Sequence, residues 1–453
     1  MRFARRVFSA IKTVAIQLAV FAALLLVLEG AARYAEPSLK KPVLELGLYP
    51  VPYMMFAAHP GAHDLTWQDI ITKEPVLSRV KFNNWGFIED MDFSMVPTAE
   101  YVRQYGKKPG ERLVLISGGS VVHGVGATAN DKTIAARMMR HLNEHSSGPR
   151  YRVINMGMGG WIAYQQFIGL SLFGLPLNPD WVINMDGHND GAAPCAHGSG
   201  VGNPVLWPRY LYFLNGGSLH QTNPVLQDIA RRSALFRVVS GIEAEPKNAM
   251  ARGIVVDDRD PDKRFLFKHE GLTVALQDPQ VDFYVQAQRN VLALFSRANV
   301  IMSSQPYMYG NGVTRAYLTA FGPEGTEATR ATLRAELDRY MAENGTKACD
   351  TRANSQHLGY FMGRSAFRLE RLAAEEQAAD PSRKVIYLNT ESVFPFDLKL
   401  RGRYFVDNAH MSDQGQDRLG EFFAQAILSA ERGARFDYAA FVKDGADRAT
   451  GGN

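Results

Sequence analysis

Five short apolar runs, each stopped by glycine or polar residues, constrain this chain's fold more than any other feature. They are 112–117 (RLVLIS), 151–155 (YRVIN), 181–185 (WVINM), 300–303 (VIMS) and 384–388 (KVIYL). Runs this short and apolar read as strands buried on both faces. Helical patterns separate or follow them, at 131–143, 326–344 and 413–432. Strands alternating with helices predict an α/β domain, a central parallel sheet of about five strands covered on both sides. Ligands in such sheets bind at the carboxyl ends of the strands.

Four polar segments fall at or beyond those ends. They are Ser117-Gly118-Gly119-Ser120, Asn155-Met156-Gly157-Met158-Gly159-Gly160, Gly187-His188-Asn189-Asp190 and Asp407-Asn408-Ala409-His410. Taken singly, each is ordinary turn or cap chemistry. Taken in order, they supply a serine, a glycine amide, an asparagine amide and a carboxylate–imidazole pair. Acyl transfer through serine needs a nucleophile, a base, a group that orients the base, and oxyanion donors. The expected roles are Ser120 as nucleophile, His410 as base and Asp407 as the orienting carboxylate. The Ser120 and Gly160 amides and the Asn189 side chain are the expected oxyanion donors, with Gly159 a rival for Gly160.

On these residues the chain resembles the SGNH hydrolases, the GDSL esterase/lipase superfamily. Ser120 matches the serine of the family's first block, Gly160 the glycine of the second, Asn189 in GHND the asparagine of the third, and Asp407 with His410 the final D-x-x-H. Ser412 and Gly415 fit the usual continuation. The resemblance covers 111–190 and 384–430 and implies a three-layer, flavodoxin-like SGNH fold. The family usually carries aspartate before the serine; here Gly119 stands there. Anchored relatives often read GGS. Lys81–Phe87 (KFNNWGF) resembles a stretch that precedes the first block in such relatives, and Asn83 and Asn84 read as turn formers within it.

The amino end carries a second signal. Arg2, Arg5, Arg6 and Lys12 precede 13–28, sixteen residues without a charge, and after Glu29 small residues extend the run to about 34. That is close to the length a bilayer requires. Basic residues before the run put the amino end in the cytoplasm and the rest outside, in the periplasm of a cell with an inner membrane. A cleaved signal peptide is the other reading; an uncleaved single-pass anchor is favoured. The expected organisation is a basic tail (1–12), the anchor (13–34), a connecting arm packed on the domain (35–110), the catalytic domain (111–432) with an insertion at about 191–298, and a loose tail (433–453).

Net charge is +4, and the four basic residues before the apolar run account for it, since 50 − 4 leaves 46 basic against 46 acidic. A near-neutral outer domain argues against nucleic acid. Cys195 and Cys349 either form a disulfide or stay as two thiols. In the chain-entropy model closing that loop would stabilise by about 5 kcal/mol. Neither cysteine sits in a metal-ligand spacing and the eleven histidines form no zinc pattern, so neither metal nor cofactor is expected. Trp161, His123 and His188 flank the site and are candidate substrate contacts. Trp207, Tyr210 and Tyr212, in the insertion, could stack on a sugar or form a small core.

The leading expectation is an anchored serine esterase that removes O-acyl groups, acetyl foremost, from an extracytoplasmic carbohydrate. GHND resembles the third block of carbohydrate acetylesterases in the family. The alternative is an O-acetyltransferase of envelope glycans, using the same residues with a membrane-bound acyl-transfer partner. A lipase, a thioesterase or a non-catalytic glycan-binding protein comes third.

Overall fold

A computed structural model describes residues 2–39, 48–68, 72–197, 229, 232–240, 277–308, 312–323, 325–344, 354–395 and 397–451. One compact unit, Leu46–Trp207 with Asp257–Asn453, holds the central sheet. Its strands are β5 (Glu111–Gly118), β6 (Arg150–Gly157), β7 (Trp181–Asp186), β8 (Asn299–Ser304) and β9 (Val385–Leu388). They pair in the order β6-β5-β7-β8-β9, every pair parallel. All five apolar runs are therefore strands of one sheet, in an α/β fold of the flavodoxin-like order expected from the sequence.

Alternation within each strand builds two cores. Leu113, Leu115, Val182, Val300 and Met302 face one side, with α5 (Ala163–Gly169), α8 (Gln277–Leu294), α10 (Glu327–Asn344) and α11 (Asn354–Ala379). Val114, Ile116, Ile183, Met185 and Ile301 face the other, with α4 (Ile134–His145) and α13 (Asp413–Glu431). Strands covered on both faces have no polar side, so they read as continuous apolar runs. The chain leaves β5 for β6 and then crosses back to β7, so its direction reverses between β5 and β7. Ligands bind at such a reversal, beyond the carboxyl ends of the strands.

The arm is more structured than the sequence suggests. It forms two antiparallel hairpins, β1 (Leu48–Val51) with β2 (Met55–Ala58), and β3 (Gly61–Gln68) with β4 (Pro75–Phe82), followed by α2 (Ala99–Tyr105). Phe56, Val80, Phe82 and Phe87 carry it into the core. Asn83 fixes the turn that follows: its Oδ1 accepts from Trp85 N and Phe87 N, both at 3.0 Å, and its Nδ2 donates to Met91 O at 2.8 Å. Gly86 has φ +79°, and a Cβ there would run into the Ala58 backbone, so only glycine fits.

The carboxyl end also differs from expectation. Instead of a loose tail, α14 (Tyr438–Gly451) follows α13, and Phe441 is buried with Phe422 and Phe423. The Arg418 guanidinium lies 3.6 Å from the centre of the Phe441 ring. An aromatic cluster thus holds a segment whose glycines and small residues suggested disorder.

The second compact unit joins Met1–Glu45 to Pro208–Val256. Its described part is α1 (Arg2–Leu39) with α7 (Ala234–Ser240). Within α1, Lys12–Ala35 is long and apolar enough to cross a membrane, with mean hydropathy 2.2 and none of the apolar window buried in the chain. Glu29, the charge that interrupts the apolar run, accepts from Ser233 Oγ at 2.7 Å, Ala234 N at 2.9 Å and Leu235 N at 3.1 Å. Cys349, Trp207, Tyr210 and Tyr212 lie outside the described residues, as does the side chain of Cys195.

Candidate active site

The site is assembled from three strand ends and the loop before α13. β5 stops at Gly118, and α3 (Ser120–His123) begins at once with Ser120, 9 % exposed. Asp407 and His410 sit in the loop before α13, which is tied back to the segment after Ser120. Asp413 Oδ1 accepts from Thr128 N at 2.9 Å, and its Oδ2 accepts from Thr128 Oγ1 at 2.6 Å. From the β8 side, Met308 N donates to Asn408 O at 2.7 Å. The same segment's Tyr307 O accepts from the buried Arg401 Nη2, also at 2.7 Å.

Three side chains then form a series. Asp407 Oδ2 lies 2.6 Å from His410 Nδ1, and His410 Nε2 lies 2.8 Å from Ser120 Oγ. A carboxylate only accepts, so the ring proton sits on Nδ1 and Nε2 keeps the lone pair that faces the hydroxyl. Asp407 Oδ1 accepts from Ala409 N and His410 N, each at 2.8 Å, which fixes the carboxylate in its own loop. Burial alone would raise the Asp407 carboxyl; the His410 ring and these two amides outweigh it and hold it down at about 2. The arrangement can draw a proton from the serine as its oxygen attacks an acyl carbon.

The expected donor residues Gly160 and Asn189 meet at one turn. Residues 158–161 form a turn in which Trp161 N donates to Met158 O at 3.2 Å. Gly160 takes φ +79° at its third position, a conformation that favours glycine and that distinguishes it from Gly159. Asn189 Nδ2 donates to Trp161 O at 2.8 Å, which joins this turn to the start of α6 (His188–His197). Behind them the buried Asp190 receives Ala163 N on both carboxylate oxygens at 3.2 Å. Burial and the neighbouring Asp186 push the Asp190 carboxyl well up, which favours the neutral acid.

Gly119, the departure from the family pattern, has a local reason. A Cβ there would lie 2.9 Å from Asn189 Nδ2 and 3.3 Å from Gln305 Oε1. An aspartate would displace the asparagine from its bond to Trp161. Gly119→Ala should therefore act like partial loss of a donor. Asn189→Ala is expected to lower kcat about 10²- to 10³-fold, Gly119→Ala by at least about tenfold, and the pair little more than Asn189→Ala alone. Multiplying losses in steady-state kinetics would refute this coupling.

Two of the candidate substrate contacts are corrected. Trp161 is only 1 % exposed, and its Nε1 donates to Phe56 O at 3.0 Å, so its ring is enclosed by the arm. His123 is also 1 % exposed, and its Nε2 donates to Gly86 O at 2.9 Å. Arm rings that the sequence left without a fold pack against both, Phe87 on Trp161 and Phe82 on His123. His188 remains at the site, its ring centre 6.2 Å from that of Tyr307. Sequence reading missed Trp67 on β3, whose ring centre is 6.3 Å from that of His410 and whose buried Nε1 has no hydrogen-bond partner among the described residues. It also missed Gln305, 1 % exposed, whose backbone N donates to Asp186 O at 2.8 Å.

Burial lowers His123 to about 4, the Gly86 bond opposing and His410 adding. An unfolded histidine titrates near about 6.5, so on acidification the unfolded chain binds this proton first. Stability is then full above about 6.5, falls between about 6.5 and 4, and by about pH 4 has lost roughly 3 kcal/mol through this ring. His123→Asn should flatten the fall in denaturant-derived stability over that window by nearly one proton. An unchanged slope would contradict the assignment.

No protein-family model matches the chain, and no curated protein matches it. Among solved structures it is similar to a lipase/acylhydrolase from Enterococcus faecalis, at 13% identity over 70% of this chain and 96% of that one, with a TM-score of 0.32. It is similar to a catalytic mutant of an acetylxylan esterase from Geobacillus stearothermophilus, at 14% identity over 70% and 94% of the two chains, with a TM-score of 0.32. A carbohydrate acetylesterase family member from Sinorhizobium meliloti is 12% identical over 71% of this chain and 99% of that one, with a TM-score of 0.29.

Proposed function

We propose that this chain is a serine esterase that removes O-acyl groups from an extracytoplasmic carbohydrate while held at a membrane by α1. The observation that carries the esterase reading is the series Asp407–His410–Ser120, at 2.6 and 2.8 Å. Ser120 Oγ attacks the ester carbonyl carbon as its proton passes to His410 Nε2. The oxyanion is received by the Ser120 and Gly160 amides and by Asn189 Nδ2. His410 then returns the proton to the departing sugar oxygen, leaving an acyl-serine. Water, deprotonated by the same ring, cleaves that ester and releases the acid.

The Glu29 contacts support a retained helix. A removable leader would not carry the residue that accepts the amides of Ala234 and Leu235. Basic residues ahead of the apolar run support a cytoplasmic amino end. A catalytic domain carried on such a helix suits a polymeric substrate at the cell surface.

The test is release of p-nitrophenol from p-nitrophenyl acetate by the wild type beside Ser120→Ala, followed by acetate release from acetylated polysaccharides. Serine-dependent release from polysaccharide in water supports the reading. Turnover only when an acceptor sugar is supplied would replace it with a transferase. No turnover of any ester by folded protein would leave a binding role. Intact-mass measurement of the chain from membranes tests retention: loss of the first ~35 residues would overturn it.

A further inference from the structure

One turn of α4 gathers a second set of chemically matched groups, in the pairing of α4 with α13. His141, Glu144 and His145 each offer one ligand atom, and these atoms lie within 4.8 Å of one another. The spacing i, i+3, i+4 puts all three on one helix face. Proximity on an exposed helix is common, but here the second nitrogen of each ring is also engaged. His141 Nε2 lies 3.2 Å from Asp417 Oδ1 on α13. Arg140 Nη2 also faces Nε2, at 3.5 Å, but the nearer carboxylate places the proton on Nε2 and leaves the Nδ1 lone pair, and this Nδ1 is buried with no hydrogen-bond partner among the described residues. His145 Nδ1 donates to His141 O at 2.9 Å, since a carbonyl can only accept, and so His145 Nε2 also keeps its lone pair. Glu144 Oε2 is 4.0 Å from His141 Nδ1.

We infer that His141, Glu144 and His145 bind a borderline divalent transition-metal ion of the Zn(II) class. Two imidazole nitrogens and one carboxylate suit such an ion, with water as the fourth ligand; Mg(II) and Ca(II) prefer sites built from oxygen. Metal-bound histidines characteristically donate their other N–H to a carboxylate or a carbonyl, which orients the ring and raises its basicity; this cluster has one of each. The local charge is balanced. Asp417 Oδ1 accepts from Arg140 Nη2 at 2.7 Å and lies 3.8 Å from Arg137 Nε, while Glu144 Oε1 lies 3.7 Å from Arg140 Nε. A bound ion draws Glu144 from Arg140, whose guanidinium keeps Asp417. The ion would brace α4 against α13 through His141 and Asp417, outside the Ser120 chemistry. The histidines form no zinc pattern in the sequence, and this site departs from that expectation because one turn of α4 brings the three ligand atoms together.

The experiment uses full-length, detergent-solubilised protein without a histidine tag, stripped with EDTA and dialysed. Zn(II) is titrated by calorimetry, and thermal unfolding is followed with Zn(II) or Mg(II). The expected result is one Zn(II) per chain with a micromolar Kd, a Tm raised by Zn(II) and unmoved by Mg(II), and the same esterase rate with and without Zn(II). His145→Ala, at an exposed position, should fold and abolish that binding. Asp417→Asn should weaken it about 10- to 100-fold through the ring it orients. Binding in His145→Ala equal to wild type, or no binding at 100-fold above a micromolar Kd, overturns the assignment. An Asp417→Asn affinity equal to wild type overturns the part of the assignment in which Asp417 orients the His141 ring. Since the readouts are binding and Tm, they succeed or fail independently of the esterase reading.

Discussion

Ser120→Ala is expected to lower ester turnover by about 10⁴- to 10⁶-fold, the scale found where a serine and its base act as a unit. Among the described residues, Ser120 Oγ is the atom at the end of the Asp407–His410 series, 2.8 Å from His410 Nε2. His410→Ala should cost about as much, because without the lone pair on Nε2 the hydroxyl has no acceptor for its proton as it attacks. The double variant should be little slower than either single one. Each single substitution already removes the whole proton-transfer step, and what survives comes from donors that neither change disturbs. Steady-state kcat for the three variants, set against thermal unfolding to show that each is folded, reads the result. Losses that multiply would mean that Ser120 and His410 serve separate steps, and the unit would have to be reassigned.

The parts of this molecule that were legible in the sequence are those whose signal is local. All five sheet strands were found because strands buried on both faces are apolar throughout. β7 is buried along its whole length, and β5 from Leu113 onward. The site's polar ends were legible for a related reason: a short polar or glycine-rich segment ending such a run marks a strand's carboxyl end. The arm was expected, but its hairpins were not, because their signal is half-strength. Along β4 only alternate residues, Ser78, Val80 and Phe82, are buried, while Leu77, Arg79 and Lys81 face outward. That pattern is read only once its partner strand is known. The same gap explains the errors at Trp161 and Trp67. Trp161 adjoins Gly160 in sequence, yet its ring turns to the arm carbonyl of Phe56. Trp67 is 343 positions from His410 (410 − 67), yet the hairpin sets their rings 6.3 Å apart. Sequence proximity ranked the two in the wrong order because the hairpin register decides which side chain reaches the site.

Asp407→Asn should be the most informative single substitution, since it keeps the shape and removes one lone-pair position. In the wild type Oδ1 accepts from Ala409 N and His410 N, and Oδ2 receives the His410 Nδ1 proton. Asparagine has only one oxygen. Two backbone donors at 2.8 Å outbid one ring donor for it, so the amide oxygen takes the loop position and the NH₂ turns to His410 Nδ1. Facing a donor, Nδ1 must become an acceptor, and the ring proton moves to Nε2, toward Ser120 Oγ. The base then points its proton at the hydroxyl it should deprotonate. A loss of about 10⁴-fold in kcat is expected, with KM nearly unchanged because no substrate contact is altered. Asp407→Ala leaves the Nδ1 tautomer free to choose and should be no worse. If Asp407→Asn retained more than about a tenth of wild-type turnover, the carboxylate would be a loop-forming residue that the histidine merely touches, and tautomer control would have to be sought elsewhere.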